Sequence, residues 1–537
     1  MKTRIYRFAI AICATFALSS CSDFLERSAQ NLIIPTTASQ YKELLQGEGY
    51  FKDFNKQTYF LNYMTDDMEY IDYKVENQYV SSSTEILNYV YCWANEIEHD
   101  SFSDGIYAWL YSQILVANTC LNGIDDIDGT EVEKKTLQGQ ALFQRAYAYF
   151  ILVNTYGYPY NSSSAINPCF PLRLSPTPSS DVYPLENSHR VWEQIESDIQ
   201  QAVILLDGYT SVSKYEINHY AALLLASRVE LYMEKYTEAA QYATQLLAKK
   251  DKLYNISTKG VVEPSGTRSK ESIGFLDYNS NPEILWNFCE RGNANEAYML
   301  YNQMSIMEGV GFRISQPEPN DEKGTLLGGY LKEENKISND LADKRRCYFF
   351  NLCHYLGAFY PDHEMAEYGP DFVAYMYFSM GMPTMAYNSS ILKYDYNDSS
   401  NTMQQAFRTA EAYLNLAEAY ARQATPDTNK ALYYLNELRK NRIENYQNLT
   451  MADFSTTDKL IQFIWDERRR ELCFEECHRW WDLRRTTQPQ LKHKWINETI
   501  YTLKQGDEAY VLSIPKAERD FDNSITNKRP VRLPNNN

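Results

Sequence analysis

Along the chain, apolar residues recur mostly at every third or fourth position, the spacing of helices that bury one face. Residues 36–50 read as a short helix, and from Ile106 the run YAWLYSQILVANTCLNGI is helical until the Asp-rich turn at 125–129. Residues 132–156 predict a long helix that Gly157 and Pro159 end, and Val191 to Leu206 is amphipathic. Residues 217–249 read as two helices with a tight turn near Glu234-Lys235, and a similar pair lies within 405–443. Residues 160–185 carry Ser and Pro clusters and predict an extended loop. Between the helical pairs, 251–400 is irregular, with strand-like runs EILWNF and ILKYDY. Tyrosines crowd two zones, 50–111 and 348–396. The middle of the first, NYVYCWANEIEHDSFSDG (88–105), lacks a clean period and reads as a loop.

The last helical stretch, 460–486, is built differently. LIQFIWDERRRELCFEECHRWWDLRRT sets six acids against six bases, all Arg, so its formal charge is zero. Arg forks pair bidentately with carboxylates and stack on rings. Glu467 with Arg470 and Glu475 with Arg479 stand at helical pairing distance. Aromatics, including Trp465, Trp480 and Trp481, interleave too closely with the charges for a simple surface helix. The expectation is a half-buried helix or helix pair that braces the fold and performs no chemistry. Glu467, Arg469, Glu471, Arg479 and Asp482 carry that structural role.

The string ERRRELCFEECHRWWDLRR resembles the C-terminal signature of the SusD/RagB family. Glu476-Cys477 stands where relatives often have Gly, so continuous helix is expected there. The helix ending Tyr156-Gly157-x-Pro159 is similar to the family's pattern. The closing YVLSIPKAERDFDN resembles its last element without the usual Asn-Pro. The two helical pairs resemble tetratricopeptide repeats, whose period is about 34 residues. At the N-terminus, Lys2, Arg4 and Arg7 precede an apolar run, Phe8 to Leu18, too short to span a membrane. Leu18-Ser19-Ser20-Cys21 resembles a lipobox, which makes Cys21 the expected lipidation (palmitate) site after a 1–20 signal peptide.

Composition changes the picture by exclusion. A formal charge of −18 disfavours nucleic acid and anionic lipid. The 45 tyrosines, nearly twice the phenylalanine count, suit half-wet grooves. Eight cysteines remain after Cys13 and Cys21, too few for a disulfide scaffold in 537 residues. Cys473 and Cys477, beside His478, lack a second ligand pair and read as buried thiols, so no metal is expected. His363-Glu364-Met365-Ala366-Glu367 lacks the second His of a zinc protease motif, and neither a nucleophile elbow nor a Walker loop is present. Asp126-x-Asp128-Gly129 partly matches a calcium loop, but Ile124 and Lys135 stand where acids belong, so structural calcium is unsupported and no cofactor is expected.

The resemblance implies a mainly α fold. A tetratricopeptide-like helical-repeat scaffold carries long irregular loops and a few short strands that form the ligand-binding side. It implies a lipidated tether at 21–35, an N-terminal part at 36–250 and a C-terminal part at 251–537. It further implies a lipid-anchored, surface-exposed outer-membrane protein, with no enzyme activity. Such a protein captures an oligosaccharide or polysaccharide and delivers it to a SusC-like TonB-dependent outer-membrane transporter. Flat aromatic faces and short polar groups recognise sugars. The candidate ligand residues are therefore Tyr89, Tyr91, Trp93 and Asn95, before the 106–124 helix. Asn295, Tyr298 and Tyr301 join them, with Arg313 as a polar clamp. A peptide-binding repeat adaptor and, more remotely, a surface glycoside hydrolase are the alternatives.

Overall fold

The computed structural model describes residues 35–258 and 405–534 apart from 73–81, 99–101, 178–181, 210, 212 and 496–498. Between those blocks it describes 275–276, 281–288, 310–314, 343–345 and 349. The 1–34 segment, with Cys21 and the tether, lies outside the described residues, as do ILKYDY and most of the second tyrosine zone. Among the described residues, no helix is long and apolar enough to cross a membrane.

The chain begins with α1 (Ala38–Leu44), which a Thr37/Gln40 capping box starts, and α2 (Phe54–Thr58). β1 (Met68–Asp72) and α3 (Ser82–Tyr91) follow. α3 takes in 88–91, the start of the loop expected over 88–105, and the described residues from 92 to 105 are irregular as expected. Leu87, Val90 and Tyr91 share one buried face, and this three-four spacing is helical. Next come α4 (Ile106–Leu121) and α5 (Glu131–Tyr156). Thr130 and Glu133 form a capping box at the start of α5, and every residue from Gly139 to Tyr156 is buried. A helix buried on all sides is the centre of a fold, and its neighbours wrap it. β2 (Pro168–Pro171) and β3 (Leu185–Asn187) pair within the expected loop.

The remaining helices in this half are α6 (Ser188–Leu205), α7 (His219–Tyr232) and α8 (Tyr236–Leu247). α5 and α6 approach closely at Gly139, where a β-carbon would sit 2.8 Å from Leu206 Cγ. Arg145 ties three helices together. It donates to both oxygens of Asp198 on α6, at 2.7 and 2.8 Å, and to Asn118 on α4 at 2.9 Å. The α7–α8 turn passes through Glu234 at φ 60°, and Ser227 donates across the hairpin to Ala239 at 2.9 Å.

Downstream, β4 (Ile284–Phe288) pairs with β6 (Gln405–Arg408), and β5 (Val310–Ile314) pairs with β1, both antiparallel. After β6 come α9 (Thr409–Arg422), α10 (Thr428–Arg439), α11 (Thr457–Leu472) and α12 (His478–Arg485). The hairpin β7 (Leu491–Trp495) and β8 (Thr499–Leu503) precedes α13 (Lys516–Phe521). From α4 to α8 each helix packs on the next, α8 then packs on α9, and α9 on α10 and α11. The repeat hairpins thus form one continuous stack, the architecture expected of a helical-repeat scaffold.

The signature stretch is a pair of helices, not one. The expected continuous helix breaks at 473–477, where Phe474 and Glu476 take positive φ, 59° and 47°. Glycine is the residue that takes such backbone without strain, and this chain holds a glutamate there. The break lets successive carboxylates face different partners. Glu475 accepts from Arg408 on β6 at 2.7 Å, and Glu476 accepts from Arg228 on α7 at 2.7 and 2.8 Å.

Around this break the charges form a buried ion network. Glu467 takes Arg345 at 2.7 Å, Arg470 at 2.8 Å, and Arg439. Glu471 takes Arg408 at 2.6 Å, Arg442 at 2.9 Å and Arg345 at 3.1 Å. Asp482 joins Arg468 to Arg485, and Arg485 also clasps Glu418 on α9. Arg469 and Arg479 reach back to Asp67 and Asp66 near β1, at 2.6 and 2.7 Å. Pairing therefore runs mainly between elements, with Glu467–Arg470 the expected pair that does lie along the helix. Burial alone would raise the carboxyl pKa values. The surrounding guanidinium groups more than offset that, and they hold Glu467 well below the usual range and Glu418 and Glu476 near about 2. Removing one member of such a pair costs roughly 3–5 kcal/mol, because the other stays buried and unpaired. Directional pairing on this scale dictates which distant segments meet.

Candidate functional site

The first group of candidate residues lies at the end of α3. Trp93 follows the helix in left-handed backbone, φ 51°, with Ala94 N–H donating to Tyr89 O at 2.9 Å and Trp93 N–H to Val90 O at 3.0 Å. This is the usual helix-ending geometry with a tryptophan where glycine is common. Burial offsets the backbone cost. Trp93 is 0 % exposed, and its indole N–H donates to Met64 O at 2.9 Å.

One face of Trp93 stacks on His493 of β7, centroids 4.1 Å apart, and the other face of His493 stacks on Tyr91, also at 4.1 Å. His493 Nδ1 lies 2.7 Å from Tyr91 O, and Nε2 lies 3.0 Å from Thr65 O. Burial lowers its pKa to about 4 against the opposing pull of those carbonyls. Tyr91 O–H accepts from Tyr70 N–H at 2.9 Å, and Tyr70 rests on Trp495 at 4.1 Å.

Tyr91 and Trp93 are therefore corrected: both are core residues whose rings fill a closed stack, and neither offers a face to a ligand. Tyr89 and Asn95 are only partly buried. Asn95 contributes its backbone carbonyl, which accepts from Asn527 at 2.5 Å and from Ser513 at 3.4 Å. The C-terminal segment fastens the whole 93–98 loop. Lys516 N–H donates to Glu98, Arg519 to Glu96, and Arg532 to Trp93 O.

Arg313 lies on β5, opposite Glu69 of β1 in the antiparallel register. Since Tyr70 bonds Tyr91, the structure brings the Arg313 strand and the α3 group to the same place, on either side of β1. Asn295, Tyr298 and Tyr301 lie outside the described residues. Tyr70, His493, Trp495 and the C-terminal strap escaped the sequence reading. The alternation in LKHKW, buried at Leu491, His493 and Trp495 and exposed at the two lysines, was the available signal for the β7 members. The strap joins positions more than 400 residues apart, for which a single sequence carries no signal.

Cys473 and Cys477 are buried free thiols, as expected. Glu411, Glu476 and His478 come close enough to share a cation. Arg228 already fills that place, with its fork 2.6–2.8 Å from both carboxylates. The 125–129 turn serves α1 through backbone bonds between Asp128 and residues 36 and 38, and Lys134 donates to Asp125 O at 2.9 Å.

Two family models match the chain. One, described as the SusD family, covers residues 372–531, and the other, described as starch-binding and associating with outer membrane, covers 23–231. The first spans the broken helix pair, and the second spans α1 to α7. The chain belongs to the SusD/RagB family. No curated protein matches it.

Solved structures agree on the fold. A SusD-like carbohydrate binding protein from Bacteroides vulgatus is 18 % identical with a TM-score of 0.60, covering 93 % of this chain and 98 % of its own. A SusD superfamily protein from Bacteroides thetaiotaomicron is 20 % identical with a TM-score of 0.61, covering 91 % and 99 %. A SusD-like carbohydrate binding protein from Bacteroides fragilis is 15 % identical with a TM-score of 0.57, covering 91 % and 98 %.

Proposed function

We propose that this SusD/RagB protein binds glycans at the outer membrane and passes them to a SusC-like TonB-dependent transporter, held to the surface by lipid on Cys21. The observation that carries the reading is the match of residues 23–231 to the starch-binding, outer-membrane-associating family model. That span contains α3 and β1, to which the structure joins the Arg313 strand. The rim formed by Tyr89, Asn95, Glu69 and β5 is the proposed capture surface. The stack beneath it makes the rim rigid, which lowers the ordering cost of binding. The reading is of a binder, with no catalytic step. A peptide adaptor would need an open face on the repeat hairpins. In the described residues α8 and α9 pack on each other and α9 is almost wholly buried, which favours the glycan reading.

Retention of the full-length protein by immobilised polysaccharides tests this. Wild type is expected to be retained by at least one glycan. Tyr89→Ala and Arg313→Gln are expected to weaken retention while thermal unfolding stays unchanged. Trp93→Ala is expected to lower the unfolding midpoint, as a core truncation does. Wild type that no neutral or acidic polysaccharide retains, or retention indifferent to both rim variants, would overturn the assignment.

A further inference from the structure

A cleft of about 350 Å³ lies between α4 and the segment after β2, lined by Tyr111, Ser112, Leu115, Asn118, Arg173 and Pro176 among others. We propose that this cleft is a subsite for a carboxylated sugar, with Arg173 pairing the carboxylate. The proposal rests on the glycan-binding reading and adds a substrate class and a second place of contact.

Arg173 is the unusual feature. Among the arginines whose side chains the structure describes, all others either have a carboxylate within 4 Å or are buried against backbone carbonyls. Arg173 is partly exposed and pairs with no described acid, in a chain that carries 70 acids against 52 bases. An unpaired exposed arginine is ordinarily free to swing, yet this one is fixed. Its backbone N–H donates to the Tyr149 hydroxyl at 2.6 Å, and its carbonyl accepts from that hydroxyl at 2.8 Å and from Asn118 at 3.1 Å. Its guanidinium lies 3.5 Å over the Tyr183 ring, and Nη2 donates to Thr177 O at 3.0 Å. Nε and Nη1 have no partner among the described residues. A planar fork held in place with donors to spare suits a bidentate carboxylate.

The rest of the lining suits a sugar ring. The Tyr111 hydroxyl is spent on Pro171 O at 2.5 Å, which leaves its ring, Leu115 and Pro176 as an apolar floor for C–H faces. Leu115 is 45 % exposed, a leucine with nothing packed over it. Ser112 donates to Trp109 O at 2.6 Å and keeps lone pairs that can accept a sugar hydroxyl. The volume lies near the lower end of small-molecule sites, roughly 300–1,000 Å³, and suits a short saccharide.

The test is calorimetric titration of the full-length protein in detergent with digalacturonate and with its dimethyl ester, which keeps the rings and cancels the charge. The acid should bind about tenfold tighter than the ester, a difference of about 1.4 kcal/mol. Arg173→Gln should abolish that preference, and Arg173→Lys should keep part of it. Equal binding of acid and ester, binding of neither, or a preference that survives in Arg173→Gln overturns the subsite. Retention of wild type on a neutral polysaccharide together with equal binding of acid and ester would leave glycan capture standing while the subsite falls.

Discussion

Glu476 sets backbone strain against charge pairing at one residue, so its variants weigh the two directly. The residue sits at φ 47°. A non-glycine residue in the left-handed region costs roughly 1–2 kcal/mol, which glycine relieves. The same side chain is 2 % exposed and accepts from Arg228 at 2.7 and 2.8 Å and from the Tyr147 hydroxyl. Its removal leaves Arg228 buried with Glu411 alone, and breaking such a pair costs roughly 3–5 kcal/mol. Glu476→Gly should therefore destabilise by roughly 1–4 kcal/mol, the loss of the pair less the relief of the backbone. Glu476→Ala loses the pair and keeps the strain, so it should fall about 1–2 kcal/mol further. Glu476→Gln keeps the shape and one acceptor and should be the mildest of the three. Urea unfolding followed by tryptophan fluorescence reads the order, with urea chosen because it leaves ion pairing unscreened. Glycine as stable as wild type would mean that the buried pairing contributes less than the backbone strain, and the framework argument would fail. Glycine equal to alanine would refute the strain half alone.

Two further expectations follow from the same network. Arg469→Ala removes the partner of the buried Asp67 carboxylate and should lower folding yield in expression and refolding, while glycan specificity of the folded fraction stays unchanged. A specificity change at normal yield would move this residue into the ligand site. Stability should peak near pH 5. Glu418 and Glu476, with folded pKa values near about 2 against 4.5 unfolded, contribute stability that is present above 4.5 and lost as pH falls toward 2. Burial raises Glu230 to about 7 and Asp104 to about 6, so each contributes stability that is present below its unfolded value and lost as pH rises through its folded one; His493, lowered to about 4 from 6.5, works the other way between those values, and the two carboxyls together outweigh it. Thermal midpoints measured from pH 3 to 8 should fall on both sides of that peak, and a steady rise from pH 5 to 7 would contradict the assignment.

The helical stack was legible because its signal is local. Turn residues at 234–235 and three-four apolar spacing are both read within one window, and the segments they predict are helices within a few residues of the expected ends. The signature stretch was legible as a framework for a related reason. Its zero net charge and all-arginine bases demand acids nearby, and the structure supplies them. Its partners were not legible. Arg228, Arg345, Arg408 and Arg442 come from segments far apart in the chain, and nothing in the spacing around any of them announces a buried fate.

The candidate site failed in part for an instructive reason. Aromatic residues in an aperiodic, polar stretch, as Trp93 and Tyr91 are, suit sugar faces. The same residue types also suit a core that must close over a helix end. What separates the two uses is whether both ring faces are covered, and that depends on His493, some 400 residues away. Arg173 teaches the converse. It sits in a Ser- and Pro-rich loop with no motif around it, and its sequence neighbours gave no reason to select it. It stands out only once every other arginine whose side chain is described is seen to be paired or buried, because in a strongly acidic protein a cation fixed without a described acid is a place left for an anion.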